Sequence, residues 1–208
     1  MDSEIIINAV VTLLVTIDPA GLAPLFLAVT GGMDSAQRRH VALRSAVIAF
    51  FILLVFVVAG GGILALFGIT LPAFRVAGGL LLFWIAFEMI FEKRQERHEE
   101  TTKKAITVDQ VRSVAVFPLA IPLIGGPGAI SAAILLSDDF PTPVERAMLI
   151  GIIAAIILLV YLVFLLAERV DKLLGETGRS VLTRLLGVIL SALAVQFVAD
   201  GVKALMAT

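Results

Sequence analysis

Six long apolar runs separated by short polar intervals dominate the chain: Ile5–Val29, Val41–Phe67, Leu71–Phe91, Val114–Leu136, Val144–Ala167 and Val181–Val202. Each clears or approaches the roughly 20 residues that a helix needs to cross a hydrocarbon core. The pattern therefore predicts six transmembrane helices, with both termini on one side. The intervals at 31–40, 92–112 and 168–180, with their adjoining helix ends, hold 13 of the 16 Lys and Arg residues, and the opposite side has only Arg75, Arg146 and Lys203. Because basic loops stay in the cytoplasm, the termini are expected to be periplasmic or extracellular and the protein to sit in a bacterial inner membrane. The first run follows Met1-Asp2-Ser3-Glu4 without a basic n-region and is too long for a signal h-region, so it reads as a retained helix.

Composition sharpens this picture by exclusion. Of 208 residues, 60% are hydrophobic and 16% charged, with a mean hydropathy of +1.06; soluble domains carry roughly 25% charged residues. Lipid is the expected partner. A net charge of −1, with basic residues spread over loops, offers no surface for nucleic acid. The absence of cysteine removes disulfides and thiolate chemistry, and both histidines, His40 and His98, lie in charged intervals. No second deep carboxylate, embedded histidine or nucleotide-binding loop accompanies Asp18. Neither an enzyme nor a cofactor or metal site is expected.

The mixed-charge stretch at 92–113 divides a single membrane domain into halves, 1–91 and 114–208, and reads as a solvated cytoplasmic linker. Laying one half over the other at an offset of 108 places Pro19 on Pro127, Gly79 on Gly187, Ala86 on Ala194 and Glu88 on Gln196. One further residue of shift matches Arg75 to Arg184 and Gly78 to Gly187. Each half opens with a helix interrupted by Pro and Gly. Three helices per half is an odd number, so the second copy must insert from the other face, the inverted-topology repeat of many secondary transporters. The fold expected is an all-α membrane protein of two inverted three-helix repeats, with helices 1 and 4 broken near the bilayer midplane.

The breaks read TIDPAGLAP and PLIGGPGAIS. Asp18 is 13 residues past Ile5 and Pro127 is 13 past Val114, so at about 1.5 Å per residue both reach roughly 20 Å into the core, from opposite faces. Asp18-Pro19 has the form of an N-cap followed by proline at the first helical position, and Gly126-Pro127 repeats it with a glycine cap. Two half-helices would then aim positive ends and unpaired N–H groups at the membrane centre, where an anion or the carboxylate of a zwitterion is the natural guest. Irregular backbone at that depth calls for surrounding protein or a water-filled cavity. The plainer reading makes each cluster a kink and Asp18 a cap for the N–H groups of Gly21 or Ala20. Ser131, Glu88 and Gln196 are secondary ligand candidates, with backbone bonding, packing or interfacial roles as the alternatives. Arg75 and Arg184 can snorkel to interfaces, and Gly60-Gly61-Gly62 and Gly78-Gly79 would permit close helix approach.

DPAGLAPLFLAVT at 18–30, LPAFRVAGGLLLFWIAFEMIF at 71–91, VAVFPLAIPLIGGPGAI at 114–130 and TRLLGVILSALAVQFVADGV at 183–202 together make the chain resemble the MarC family, also described as the neutral amino acid transporter family. The resemblance runs over nearly the whole chain. It implies a six-helix inner-membrane protein and transport, as uptake or export, of small neutral amino acids such as glycine and alanine, coupled to protons. It points to Asp18, Pro19, Ala20, Gly21, Gly125, Gly126, Pro127 and Gly128 as the substrate site. Many relatives have Asn at the position of Asp18, a departure that bears on charge preference or coupling. A non-transporting assembly or regulatory protein, and an exporter of another small solute, are the alternatives.

Overall fold

An apolar segment in lipid must satisfy its backbone polar groups internally, and a helix does so alone. The structure is a computed structural model describing residues 3–91 and 114–207, and all its elements among the described residues are helical. In chain order they are α1 (Ser3–Ile17), α2 (Pro19–Val29), α3 (Ser35–Leu66), α4 (Leu71–Ile90), α5 (Ala115–Ile124), α6 (Pro127–Asp138), α7 (Pro143–Leu165) and α8 (Ala167–Met206). The linker assigned to 92–113 lies outside the described residues.

Among the described residues, five stretches are long and apolar enough to span a membrane: α1 with α2, α3, α4, α7 and the Thr177–Met206 part of α8. The pair α5–α6, bent by 54°, makes a sixth if counted as one span. Burial follows the logic of a lipid-exposed bundle. On α3, Ala42, Ala46, Ala49, Leu53, Val57 and Gly60 face inward, while Leu43, Val47, Phe51, Val55 and Val58 are exposed. Large apolar side chains point out because lipid is as apolar as the core, and small ones point in because they let helices approach.

Two intervals expected as loops are largely helical. Asp34 and Gln37 form a reciprocal capping box, so α3 begins at Ser35, inside the interval assigned to 31–40. α8 begins at Ala167 and passes through most of 168–180, broken only at Gly175, whose left-handed φ of 59° suits glycine. Charge marked these segments as outside the bilayer. It does not prevent a helix from continuing there.

The closest helix pair is α4 against α8, antiparallel. A Cβ built on Gly79 would stand 2.8 Å from Val198 Cγ2 and 2.9 Å from the Ala194 carbonyl oxygen. One on Gly187 would stand 3.0 Å from Ile90 Cγ1 and 3.1 Å from the Ala86 oxygen, and one on Gly201 would stand 2.9 Å from the Pro72 oxygen. Gly187, Ala194 and Gly201 recur every seven residues, as do Gly79 and Ala86, so the two backbones meet along a seam of small residues. Within the triple glycine, only Gly60 takes part in close packing, against Ile134; Gly61 and Gly62 face open space. Around the seam, α3 packs on α5, α6 and α7; α7 packs on α1 and α2; α6 touches α1 and α4; and α8 touches α1 and α2.

Candidate functional site

Asp18 marks a local irregularity inside the first spanning stretch, which runs from Ser3 to Val29. It alone among the described non-glycine residues has positive φ (54°, ψ 67°), and it separates α1 from α2 while remaining 5% exposed. Backbone bonding nevertheless passes through it, since its N–H donates to the Leu14 oxygen at 2.9 Å and its carbonyl accepts from the Leu22 N–H at 3.1 Å. Pro19 takes the first helical position, and the Gly21 N–H donates to Asp18 Oδ1 at 3.1 Å. The carboxylate thus caps the helix it precedes. A Cβ on Gly21 would lie 2.4 Å from Asp18 Oδ2, so glycine there lets the carboxylate fold over the helix start.

The irregular part of the second segment starts earlier than the glycines. Within α5, Phe117 and Ile121 have non-helical dihedrals, and each precedes a proline, Pro118 and Pro122, joined by a cis peptide bond. The signal was present in FPLAIPLI, two X-Pro pairs four residues apart, since proline drives its predecessor out of the helical region. The Gly125 N–H donates back to the Ala120 oxygen at 2.8 Å, and a Cβ on Gly126 would come 2.3 Å from the Pro122 oxygen. α6 then starts at Pro127 with Gly126, which has no side chain to offer, as its cap.

α1 and α6 pack together. A Cβ on Gly128 would lie 3.2 Å from Thr16 Cγ2 and 2.3 Å from Ile85 Cδ1, so the start of α6 is seated against α1 just before the turn at Asp18. Pro19, Gly21, Gly125, Gly126 and Gly128 are buried, Ala20 is half-buried, and Pro127 is exposed. Ser131, one turn into α6, is buried. Glu88 is buried but accepts a hydrogen bond from the exposed Trp84 Nε1 at 3.0 Å. Gln196 is exposed and donates to both carboxylate oxygens of Asp200.

A polar file that the sequence reading did not single out also lies on α1. Asn8, Thr12 and Thr16 follow one another at four-residue spacing, which puts them on one face of the helix. Thr12 and Thr16 are fully or almost fully buried, and Thr12 Oγ1 donates to Asn8 Oδ1 at 3.1 Å. Asn8 in turn lines a cavity of about 60 Å³ with Arg75, Asp139, Gln196 and Asp200. The file therefore joins that polar mouth to the turn. Its signal was the spacing of hydrogen-bonding side chains inside an apolar run.

At the mouth, Arg75 Nη2 pairs with Asp138 at 2.9 Å and Asp139 at 3.2 Å, linking the start of α4 to the end of α6. Burial holds the Asp139 carboxyl above its ordinary value of 3.8; the Arg75 charge opposes this, and Asp138 and Asp200 reinforce it. The native state thus binds this proton more tightly than the unfolded chain. Its stabilising contribution is complete below about pH 3.8 and is lost as pH rises through the raised native value. Relative to Asp139→Asn, the wild type is expected to lose melting temperature over that rise. Parallel melting curves for the two proteins across the pH series would contradict the assignment.

Lipid-facing apolar stripes, a buried seam of small residues and five or six spanning stretches define a multi-pass integral membrane protein. Residues 3–206 match the family described as MarC family integral membrane protein, and the chain belongs to that family. It is 37% identical over 191 residues to a UPF0056 membrane protein of Archaeoglobus fulgidus, covering 91% of this chain and 88% of the relative. It is 35% identical over 205 residues to the UPF0056 membrane protein YvbG of Bacillus subtilis, covering 95% and 94%. With the UPF0056 membrane protein YhcE of Escherichia coli it shares 34% over 190 residues, covering 90% and 86%. No solved structure matches the chain.

Proposed function

We propose that the protein is a secondary transporter of small neutral amino acids, of glycine or alanine size, built as an inverted three-helix repeat in the bacterial inner membrane and driven by protons. The observation that carries this reading is the polar file Asn8–Thr12–Thr16, half-buried at Asn8 and buried at Thr12 and Thr16, running from the charged mouth toward Asp18 and the start of α6. A hydroxyl or amide inside a membrane bundle calls for a hydrogen-bond partner, and a polar solute moving along the file can supply one.

The repeat is supported by contacts. Gly79 meets Ala194 and Val198, whereas Gly187 meets Ala86 and Ile90, and each of these residues is displaced from its counterpart by the 108 of the sequence overlay. Likewise α3 packs on α5 and α6 as α7 packs on α1 and α2, and α4 packs on α6 as α8 does on α2. In this mechanism the substrate carboxylate sits at the start of α6, where the glycine cap brings no side chain of its own and the helix presents its positive end. Asp18 supplies the negative charge for the ammonium group or carries the coupled proton. Rocking one half against the other opens the site alternately.

One observation favours a second reading. Asp18 already caps Gly21, as a kink in a non-transporting membrane protein would require. Uptake of labelled glycine and alanine into proteoliposomes separates the two. Accumulation driven by a proton gradient is expected, and no movement under either a proton or a sodium gradient would overturn the transport reading.

A further inference from the structure

At the end of the bundle opposite the Arg75 mouth lies a larger cavity, of about 270 Å³, between the start of α3 and the junction of α7 with α8. Three guanidinium groups line it, Arg38, Arg39 and Arg169, against one carboxylate, Glu168. Arg38 is held in place: its Nη1 pairs with Glu168 Oε1 at 2.7 Å and its Nε donates to the Thr30 oxygen at 3.4 Å. That pairing leaves two positive charges uncompensated within the lining. Arg39 and Arg169 are both exposed.

The cavity changes character across its width. Its inner wall is the stacked pair Phe26 and Phe164, with ring centroids 4.4 Å apart and planes 8° from parallel. Another wall is Leu165 and Leu166, each 43% exposed, at the end of the spanning helix α7. A water-facing vestibule would not need an exposed leucine wall. An amphiphile does, having an anionic head and apolar chains. Guanidinium forks match the paired oxygens of a phosphate, and basic pockets between helices at a membrane surface hold phospholipid head groups.

We propose that this cavity binds an anionic phospholipid of the adjoining leaflet, its phosphate on Arg39 and Arg169 beside the anchored Arg38, its acyl chains along Leu165 and Leu166. The site is independent of the transport reading, since it needs only that the protein spans a bilayer. Its role is to tie the start of α3 to the α7–α8 junction, adding to the ion pair between Arg38 and Glu168.

Delipidated protein in neutral detergent tests this by thermal unfolding and native mass spectrometry. The probes are phosphatidylglycerol, phosphatidylcholine with the same acyl chains, glycerol 3-phosphate, and glycine. Phosphatidylglycerol is expected to raise the melting temperature and remain bound, and phosphatidylcholine and glycine are not. Arg39→Gln with Arg169→Gln is expected to weaken phosphatidylglycerol binding by at least about tenfold, the effect of losing one charge-assisted hydrogen bond. Lys172→Ala, an exposed cation near this end that does not line the cavity, is expected to bind as the wild type does. Should the double variant not fold, Arg39→Gln alone is read, with the same direction expected. Equal stabilisation by phosphatidylcholine, by glycerol 3-phosphate or by glycine would overturn the proposal, as would undiminished binding by the arginine variants or an equal loss in Lys172→Ala.

Discussion

Gly79→Leu is expected to abolish the folded protein, whereas Gly61→Leu leaves it intact. At position 79 even a methyl group has no place, with Val198 Cγ2 at 2.8 Å and two backbone atoms, the Ala194 oxygen and the Val198 nitrogen, at 2.9 and 3.0 Å. Backbone cannot swing aside as a side-chain tip can, so the whole α4–α8 seam must part. Overpacking by single methylenes costs about 1–3 kcal/mol. An isobutyl group driven between two backbones exceeds this, against a total stability of roughly 5–15 kcal/mol. Gly79→Ala should fall between, melting below the wild type without losing the fold. Gly187→Leu should behave as Gly79→Leu does, because it meets Ile90, Met89 and the Ala86 oxygen at 3.0–3.1 Å. Gly61, with nothing within 4 Å, is the matched control. Size-exclusion profiles and circular-dichroism melting in detergent read all four, and a Gly79→Leu protein that melts with the wild type would refute the seam.

The second large effect is expected at Asp18, where structure and function separate by choice of substituent. Asp18→Ala loses the cap on Gly21, about 0.5–2 kcal/mol, and also forces alanine into the left-handed region at a further cost of roughly 1–2 kcal/mol. Asp18→Gly relieves the backbone but still lacks the acceptor. Asp18→Asn retains an oxygen for the Gly21 N–H and tolerates positive φ, so it should melt close to the wild type. The stability order expected is Asp and Asn highest, then Gly, then Ala. Proton-driven uptake should fall in all three, Asn included, if the charge works in transport. Full uptake by Asp18→Asn would reduce Asp18 to a cap. The position demands a left-handed backbone and a short side-chain acceptor, and Asp and Asn both supply them.

The local devices at the turn were legible before the structure. Asp18-Pro19 and Gly126-Pro127 carry their helix starts in the identity of the residues, since a cap and a proline act through neighbours one to three positions away. The irregular winding upstream of Gly125 was written in the two X-Pro pairs of FPLAIPLI but is visible only if each pair is weighed as a backbone constraint. Asn8, Thr12 and Thr16 were hidden by averaging: a hydropathy window over Ile5–Val29 dilutes three polar side chains among many apolar ones, although their four-residue spacing marks a face. Glu88 and Gln196, aligned by the overlay, turn out to have local partners, Trp84 and Asp200, one turn away.

By itself, the sequence determined that this protein lives in a membrane, roughly where it crosses, which intervals are basic, and which residues, Asp18-Pro19 and Gly126-Pro127, start helices within the first and fourth apolar runs. Those properties come from transfer free energy, backbone chemistry and near neighbours, all local along the chain. The tertiary structure alone decided which glycines are indispensable, that the start of α6 rests on Thr16, and that arginines from α3 and α8 share one cavity. In lipid, apolar surface does not choose its partner, so pairing is settled by shape at close range between residues far apart in the chain.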